Sequence, residues 1–200
     1  MQFSGCNVQI VNGEGKTASE NGAGNLVIGY DENSGAKRGT VPAQTGSHNL
    51  ILGEEQEFTS YGGIVAGQNN RIRAPFASIS GGAANTAIGE WSSVSGGSSN
   101  TASGAGSSVS GGVSGTASGE RSSVSSGNEN TASARLSSVS GGAKNAASGE
   151  GSSVSGGAKN TASGEGSSVS GGLQNQAKGK FSSILGGHLL DATAEFEAIS

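Results

Sequence analysis

Residues 92–106 read SSVSGGSSNTASGAG, and this stretch decides how the rest of the sequence is interpreted. Near copies of it begin at Ser107, Ser122, Ser137, Ser152 and Ser167. A similar unit, ASISGGAANTAIGEW, begins at Ala77, and a degenerate unit begins at Ser182. A fixed period is typical of a solenoid, in which each repeat forms one turn that stacks on the next.

Each unit contains two short segments in which apolar and polar residues alternate, one around Val94 and one around Ala102. Glycines separate the segments and indicate tight turns. Stacked turns place equivalent residues over one another at the strand spacing of about 4.8 Å. The sequence therefore predicts an all-β, parallel β-solenoid, a β-roll with two short strands per 15-residue turn. The predicted inward ladders are Val94, Val109, Val124, Val139, Val154 and Val169, and Ala102, Ala117, Ala132, Ala147 and Ala162.

Asparagine recurs just before the second segment of the repeat. Because asparagine tolerates left-handed backbone geometry and its amide bonds to nearby backbone, we predict a structural role for it in a turn. Gly115 stands in the same column and is expected to meet the same backbone requirement. This predicted ladder contains Asn100, Asn130, Asn145 and Asn160.

The repeat frame also divides the chain into segments. We predict an N-terminal cap over residues 1–23, diverged turns over 24–76 with a loop inserted at 30–47, regular repeats over 77–187, and a C-terminal cap or the start of a stalk over 188–200. Within the cap, Val8, Ile10 and Val11 are expected to form a strand that covers the first open edge. The last ten residues are compatible with a helix that has Phe196 and Ile199 on one face.

Composition limits the classes of partner and compartment. The formal net charge is -4 and leaves no basic face, so neither nucleic acid nor direct membrane insertion is expected. Cys6 is the only cysteine, which excludes an internal disulfide and leaves the redox compartment open. No signal peptide follows Met1, so an export signal is expected outside this chain.

The thin core predicts self-association. One valine and one alanine per turn bury little apolar surface compared with the entropy lost in ordering a whole turn. We therefore expect each turn to bury another face against other copies of the chain, with cyclic symmetry. Gly96 and its equivalents follow the valines by two residues and are expected to let a partner approach closely.

Serine and threonine of the repeat, including Ser92, Ser95 and Thr101, are expected on the outer faces as flat arrays of hydroxyls. Rows of Thr-x-Ser can match ordered water, so ice binding is one alternative function. Ala146 and Gln176 interrupt those rows and weaken this alternative.

No enzymatic motif is found in the sequence. The recurring serines lack the G-x-S-x-G spacing of a nucleophile elbow, and no histidine or aspartate recurs beside them. His48 and His188 lie at opposite ends of the array, and calcium-binding rolls need a recurring aspartate that Asp31 and Asp191 alone do not supply. We therefore predict that the protein is not an enzyme and has no catalytic residue, metal or cofactor.

Aromatic and basic residues are concentrated in the diverged N-terminal half. The candidate contacts with a ligand are Tyr61, Trp91, Arg71 and Arg73. A further alternative function is therefore a carbohydrate-binding fibre domain, as in a phage tail fibre, and cleavage of the carbohydrate ranks below binding. One column of the repeat contains Trp91 and, at the other end of the array, Phe181. We interpret these aromatic residues as plugs for the two ends of the solenoid rather than as a ligand-binding pair.

Two stretches of this sequence resemble a known family. Asn25-Leu26-Val27-Ile28-Gly29 and the repeat Ala-Ser-Gly-x-x-Ser-x-Val-x-Gly-Gly are similar to the head repeats of YadA-like trimeric autotransporter adhesins, which read approximately AxAxGxxSVAIG. The resemblance covers residues 24–187, but the period here is 15 residues rather than about 14, and Gly96 replaces an isoleucine of the family.

The resemblance implies a left-handed parallel β-roll that is trimeric around a central axis. It also implies display outside a bacterial cell and binding to host or environmental surfaces, including glycans. The expected function is therefore a non-catalytic, extracellular structural or adhesive module of a bacterial surface or fibre protein.

Overall fold

The computed structural model describes residues 2, 4–30, 32 and 43–200. Over these residues the chain is an all-β solenoid of about 10 turns with about 15 residues per turn. The predicted fold class, the parallel pairing and the two short strands in each regular turn are confirmed. In chain order the strands are β1 (Leu26–Ile28), β2 (Leu50–Glu54), β3 (Glu57–Phe58), β4 (Ile64–Gln68), β5 (Arg71–Ile72), β6 (Ser78–Ile79), β7 (Thr86–Ala87), β8 (Ser93–Val94), β9 (Thr101–Ala102), β10 (Ser108–Val109), β11 (Thr116–Ala117), β12 (Ser123–Val124), β13 (Thr131–Ala132), β14 (Ser138–Val139), β15 (Ala146–Ala147), β16 (Ser153–Val154), β17 (Thr161–Ala162), β18 (Ser168–Val169), β19 (Gln176–Ala177), β20 (Ser183–Ile184), β21 (Asp191–Ala192) and β22 (Ala198–Ile199).

The strands form two sheets that run the length of the solenoid. The first sheet, called sheet A, contains β1 and the even-numbered strands, and the second, sheet B, contains the odd-numbered strands from β3 to β21. Each strand pairs in parallel with the strand one turn away, so that Ser93 lies beside Ser108 and Thr101 beside Thr116. A further column of isolated bridges, such as that between Ser98 and Val113, joins the turns on the remaining side.

The spacing of the turns changes along the chain. Leu50 pairs with Ile64 and Ile64 with Ser78, so these N-terminal turns contain 14 residues. From Ser78 and its partner Ser93 onward the spacing is 15 residues. The diverged N-terminal part is therefore a separate run of shorter turns.

The core is a pair of stacked side-chain ladders. The ladder valines, one per turn from Val94 to Val169, and the ladder alanines, one per turn from Ala102 to Ala177, are at most 1% exposed. Larger side chains, Ile51, Phe58 and Ile72, occupy the core of the N-terminal turns. Strand geometry explains this arrangement, since side chains alternate along an extended segment, so that Val94 points inward while Ser93 and Ser95 on either side of it point outward.

The asparagine column forms a buried hydrogen-bonded ladder, which differs from the turn role expected for it. The Asn145 backbone N–H donates to Asn130 Oδ1, and Asn145 Nδ2 donates to the carbonyl oxygens of Gly141 and Gly157 at 2.9 and 3.0 Å. The left-handed residue is the one before the asparagine, for example Lys144 with φ of 58°. The prediction of a left-handed asparagine was therefore wrong, because the amide satisfies buried backbone groups rather than the turn.

Gly115 does not meet the requirement that was expected for it. Its backbone φ is not in the left-handed region, where Ser114, with φ of 55°, lies instead. Gly115 N–H still donates to Asn100 Oδ1 at 2.8 Å, but the rung has no amide to continue the ladder. Gly115 is therefore a gap in the ladder.

The serine that precedes each sheet A strand is also inside. Ser92 and its equivalents are at most 1% exposed, so the prediction that Ser92 lies on an outer face was wrong. The physical reason is the left-handed residue before it, Trp91 with φ of 56°, which turns the chain so that Ser92 N–H donates to Gly89 O. Five of these hydroxyls have no hydrogen-bond partner, those of Ser92, Ser107, Ser122, Ser167 and Ser182.

The two ends of the described chain differ from prediction. Val8, Ile10 and Val11 are exposed and form no strand, so the predicted cap strand was wrong. The helix considered for the last ten residues was also wrong, since β21 and β22 continue the solenoid there. Most of the loop predicted at 30–47 lies outside the described residues, but Gln44 bridges Phe58 and belongs to the array. None of the described residues forms a helix with the length and hydropathy needed to cross a bilayer.

Candidate functional site

The outer faces of the regular turns present rows of hydroxyls. On sheet A, Ser93 and Ser95 flank the buried Val94, and the same pair recurs without interruption from Ser78 and Ser80 to Ser168 and Ser170. On sheet B the equivalent rows are interrupted at Ala146 and Gln176, as the sequence shows. Ice binding stays a prediction.

Arginine and glutamate side chains cluster at the N-terminal end of sheet B. Glu57 and Arg71 are paired neighbours on β3 and β5, and Arg73 lies two residues further on the same outer face. Arg73 Nε is 2.5 Å from Glu57 Oε1, and Arg71 Nε is 3.4 Å from Glu57 Oε2. Glu57 is only 8% exposed, whereas the side chains of Arg71 and Arg73 are 43% and 49% exposed.

Electrostatics within this cluster stabilise the charged state of Arg73. The hydrogen bond from Arg73 to Glu57 raises the pKa of Arg73 above its ordinary value, and Coulombic attraction to the same carboxylate adds to it. Partial burial lowers the pKa but does not outweigh these two effects. Glu57 therefore stabilises the Arg73 guanidinium group as a cation.

Aromatic side chains lie at the corner that follows sheet B. The rings of Tyr61 and Phe76 meet edge to face, with centroids 5.5 Å apart. Trp91 occupies the next turn of this corner, where its N–H donates to Pro75 O, and it is 61% exposed. Phe181 at the other end of the array is 45% exposed and stacks on Phe196. The interpretation of these aromatic residues as plugs for the two ends of the solenoid was wrong, since the left-handed corner directs Trp91 and Phe181 outward.

The structure brings the predicted ligand contacts together only in part. Arg71 and Arg73 share one carboxylate, and Tyr61 contacts Phe76, but no ring contact in the described chain joins Trp91 to either aromatic. The ligand contacts predicted from the sequence did not include Glu57 and Phe76. The position of Glu57 could have been predicted, because it precedes Arg71 by one 14-residue turn and residues at equivalent positions of neighbouring turns lie side by side.

The two histidines lie far apart and are not grouped with other metal-ligating side chains in the described part of the chain. His48 Nδ1 lies 3.1 Å from Thr17 O, and His188 bridges Leu173 at the far end of the array. Among the residues that the structure describes, no three or more His, Cys, Asp or Glu side chains are grouped to hold a metal ion.

No protein-family model and no curated protein matches this chain. The features of the chain that bear on its function are therefore its fold and its outer surfaces.

Proposed function

We propose that this chain is a non-catalytic structural and adhesive module of a bacterial surface or fibre protein, displayed outside the cell. The observation that carries the proposal is the in-register stack of turns, which is continuous from β2 to β22. Backbone hydrogen bonds and buried side-chain ladders connect each turn to the next, and the asparagine amides add to them except at the gap at Gly115. Such a rod suits a spacer that holds a binding surface away from a cell.

Sequence spacing supports the likeness to YadA-type heads. The 14-residue spacing of Leu50, Ile64 and Ser78 is the period usual in that family. The segment Asn25-Leu26-Val27-Ile28-Gly29 resembles the family's hallmark, and its strand β1 pairs in register with Leu50, Ile51 and Leu52 of β2, although its side chains are exposed. A left-handed roll is therefore part of the proposal.

An apolar patch on the outer face of sheet A supports self-association. Leu50 and Leu52 flank the buried Ile51 and are half-buried, while Leu26, Ile28 and Ile64 on the same face are exposed. Contiguous apolar surface of this kind marks contact sites between proteins. From β6 onward the small side chains of Ser78, Ser93 and their equivalents continue this face in register with Ile64. We place the interface of a homotrimer on this face.

Sedimentation equilibrium tests the assembly. The wild-type chain of 19.3 kDa is expected to sediment as a species of about 58 kDa, three times its own mass. Leu50→Lys/Ile64→Lys places two charges on the apolar patch and is expected to give monomers. The matched control, Thr116→Lys/Thr131→Lys, places the same charges on the outer face of sheet B and is expected to leave the trimer intact. A wild-type protein that stays monomeric at high concentration would contradict the proposal.

A further inference from the structure

The arginine pair on sheet B has the geometry of an anion-binding site. Arg71 and Arg73 both contact Glu57 through Nε, the inner edge of the guanidinium group. Among the described residues neither arginine side chain has another hydrogen bond or ion pair, so the terminal amino groups of both remain available. These amino groups carry most of the donors with which arginine binds carboxylates in a bidentate manner.

The shared carboxylate of Glu57 orients the two guanidinium groups before any ligand binds. Glu57 is almost fully buried and holds both guanidinium groups from below, which reduces the entropy that the side chains would lose on binding. Two cations and one buried anion leave one net positive charge at the outer surface. The cluster thus attracts an anion even though the whole chain has a net charge of -4.

The neighbouring aromatic corner indicates what kind of molecule carries the anion. Phe76 follows Arg73 by three residues, a separation of at most about 11 Å along the chain. Phe76 and Trp91 are 45% and 61% exposed and follow each other at this corner. Exposed aromatic side chains provide flat apolar surfaces on which the faces of sugar rings pack, and a short oligosaccharide spans the distance to the arginines.

We infer that Arg71 and Arg73 bind the carboxylates of an acidic polysaccharide while Phe76 and Trp91 contact its sugar rings. The inference rests on the proposed adhesive function and deepens it, because it names the chemical class of the surface that is bound. Guanidinium pairs favour carboxylates over neutral hydroxyls, so the negative charge of the sugar determines specificity.

Calorimetric titration with oligogalacturonate, an oligomer of carboxylate-bearing sugars, tests the site. The wild-type protein is expected to bind this oligomer, and full methyl esterification of the same oligomer is expected to weaken binding about tenfold or more by removing only the charges. Glu57→Gln/Arg71→Gln/Arg73→Gln is expected to weaken binding by a similar factor. This triple variant removes both signs of charge and so leaves no buried carboxylate without a partner.

A matched triple variant controls for net charge. Glu150→Gln/Arg121→Gln/Arg135→Gln changes the same residue types at exposed positions elsewhere on the array and is expected to leave affinity unchanged. Equal binding of acidic and esterified oligomers, or a Glu57 triple variant with wild-type affinity and thermal stability, would overturn the inference. A wild-type protein that forms trimers but binds neither oligomer would also overturn it, and the proposed assembly would still stand.

Discussion

At the scale of single residues, the asparagine ladder shows how a chain with few apolar side chains provides hydrogen-bond partners for its buried backbone groups. One amide, such as that of Asn160, accepts from the Asn175 N–H above it and donates to two glycine carbonyls. Buried backbone groups left without partners would cost about 1 to 3 kcal/mol each. Every asparagine in the column therefore stabilises two adjacent turns at once.

Restoring the missing rung is expected to stabilise the protein. Gly115→Asn would supply an acceptor for Asn130 N–H and donors for two carbonyls, and should raise the free energy of unfolding by about 2 kcal/mol. A Cβ on Gly115 would lie 3.1 Å from Asn100 Oδ1 and 3.3 Å from Val124 Cγ1, contacts that the other rungs accommodate with the same residue types. Urea denaturation measures the change.

The control for this prediction is Val113→Asn, which adds the same amide to an exposed position of the same turn. Asn128 occupies the equivalent position one turn later, so the fold accepts asparagine there. Val113→Asn should change the free energy of unfolding by less than about 0.5 kcal/mol. A Gly115→Asn variant that is no more stable than this control would contradict the ladder argument.

At the scale of the repeat element, the paired glycines have different roles. Gly157 has φ of +79°, and a Cβ there would collide with the carbonyl oxygen of Gly172 in the next turn. Gly156, the residue before it, has open space around the position of a Cβ. Only the second glycine of each pair is thus required by the stacking of turns.

Alanine substitution should separate the two roles. Gly157→Ala is expected to lower the free energy of unfolding by at least about 2 kcal/mol, because it adds a steric clash to a left-handed backbone. Gly156→Ala is expected to change it by less than about 0.5 kcal/mol. Thermal melts followed by circular dichroism would compare the two variants, and similar melting temperatures would contradict this assignment.

The strands of the repeat could be predicted because their periodicity is strict, whereas the ends could not. The apolar spacing of Val8, Ile10 and Val11 is typical of a strand, but no strand in the described chain pairs with them. Asp191 and Ala192 match a helical interpretation by composition, yet they pair with Gln176 and Ala177. A pairing partner one turn away in the chain is not visible in local patterns, so tertiary context overrides local preference.

At the scale of the whole molecule, the solenoid is a stack of interchangeable modules. Arg135 bonds to Glu150 at 2.6 Å, and Lys144 pairs with Glu129 at 3.6 Å, each across one turn. Removing residues 137–151 would bring Glu165 above Arg135 and Lys159 above Glu129, with the same charge pairing. The array therefore has no single turn on which all others depend.

Deletion of one full turn should preserve the fold. The variant without residues 137–151 is expected to keep the far-ultraviolet circular dichroism spectrum and to melt within a few degrees of wild type, since only one set of neighbour contacts is lost. Deletion of residues 137–144, about half a turn, shifts every later core residue out of register and should abolish cooperative melting. Equal tolerance of both deletions would contradict the module description.

The candidate site was only partly accessible from sequence. The concentration of Arg71, Arg73, Tyr61 and Trp91 pointed to the N-terminal half, and the structure places the arginines on one carboxylate. The role of Glu57 depends on the shorter turn, which aligns it with Arg71. Composition identifies candidates for a site, but the register of stacked turns determines which of them meet.

Successive turns carry the same valine and asparagine ladder residues, and this similarity also affects how the chain reaches its native state. Near-identical turns can pair with a neighbour one repeat too far along, and such slipped pairings would be close in energy to the correct one. The larger side chains of Ile51, Phe58 and Ile72 distinguish the N-terminal turns from the rest. Growth of the stack from that end, one turn at a time, would avoid kinetic traps, since each new turn then meets a single open edge.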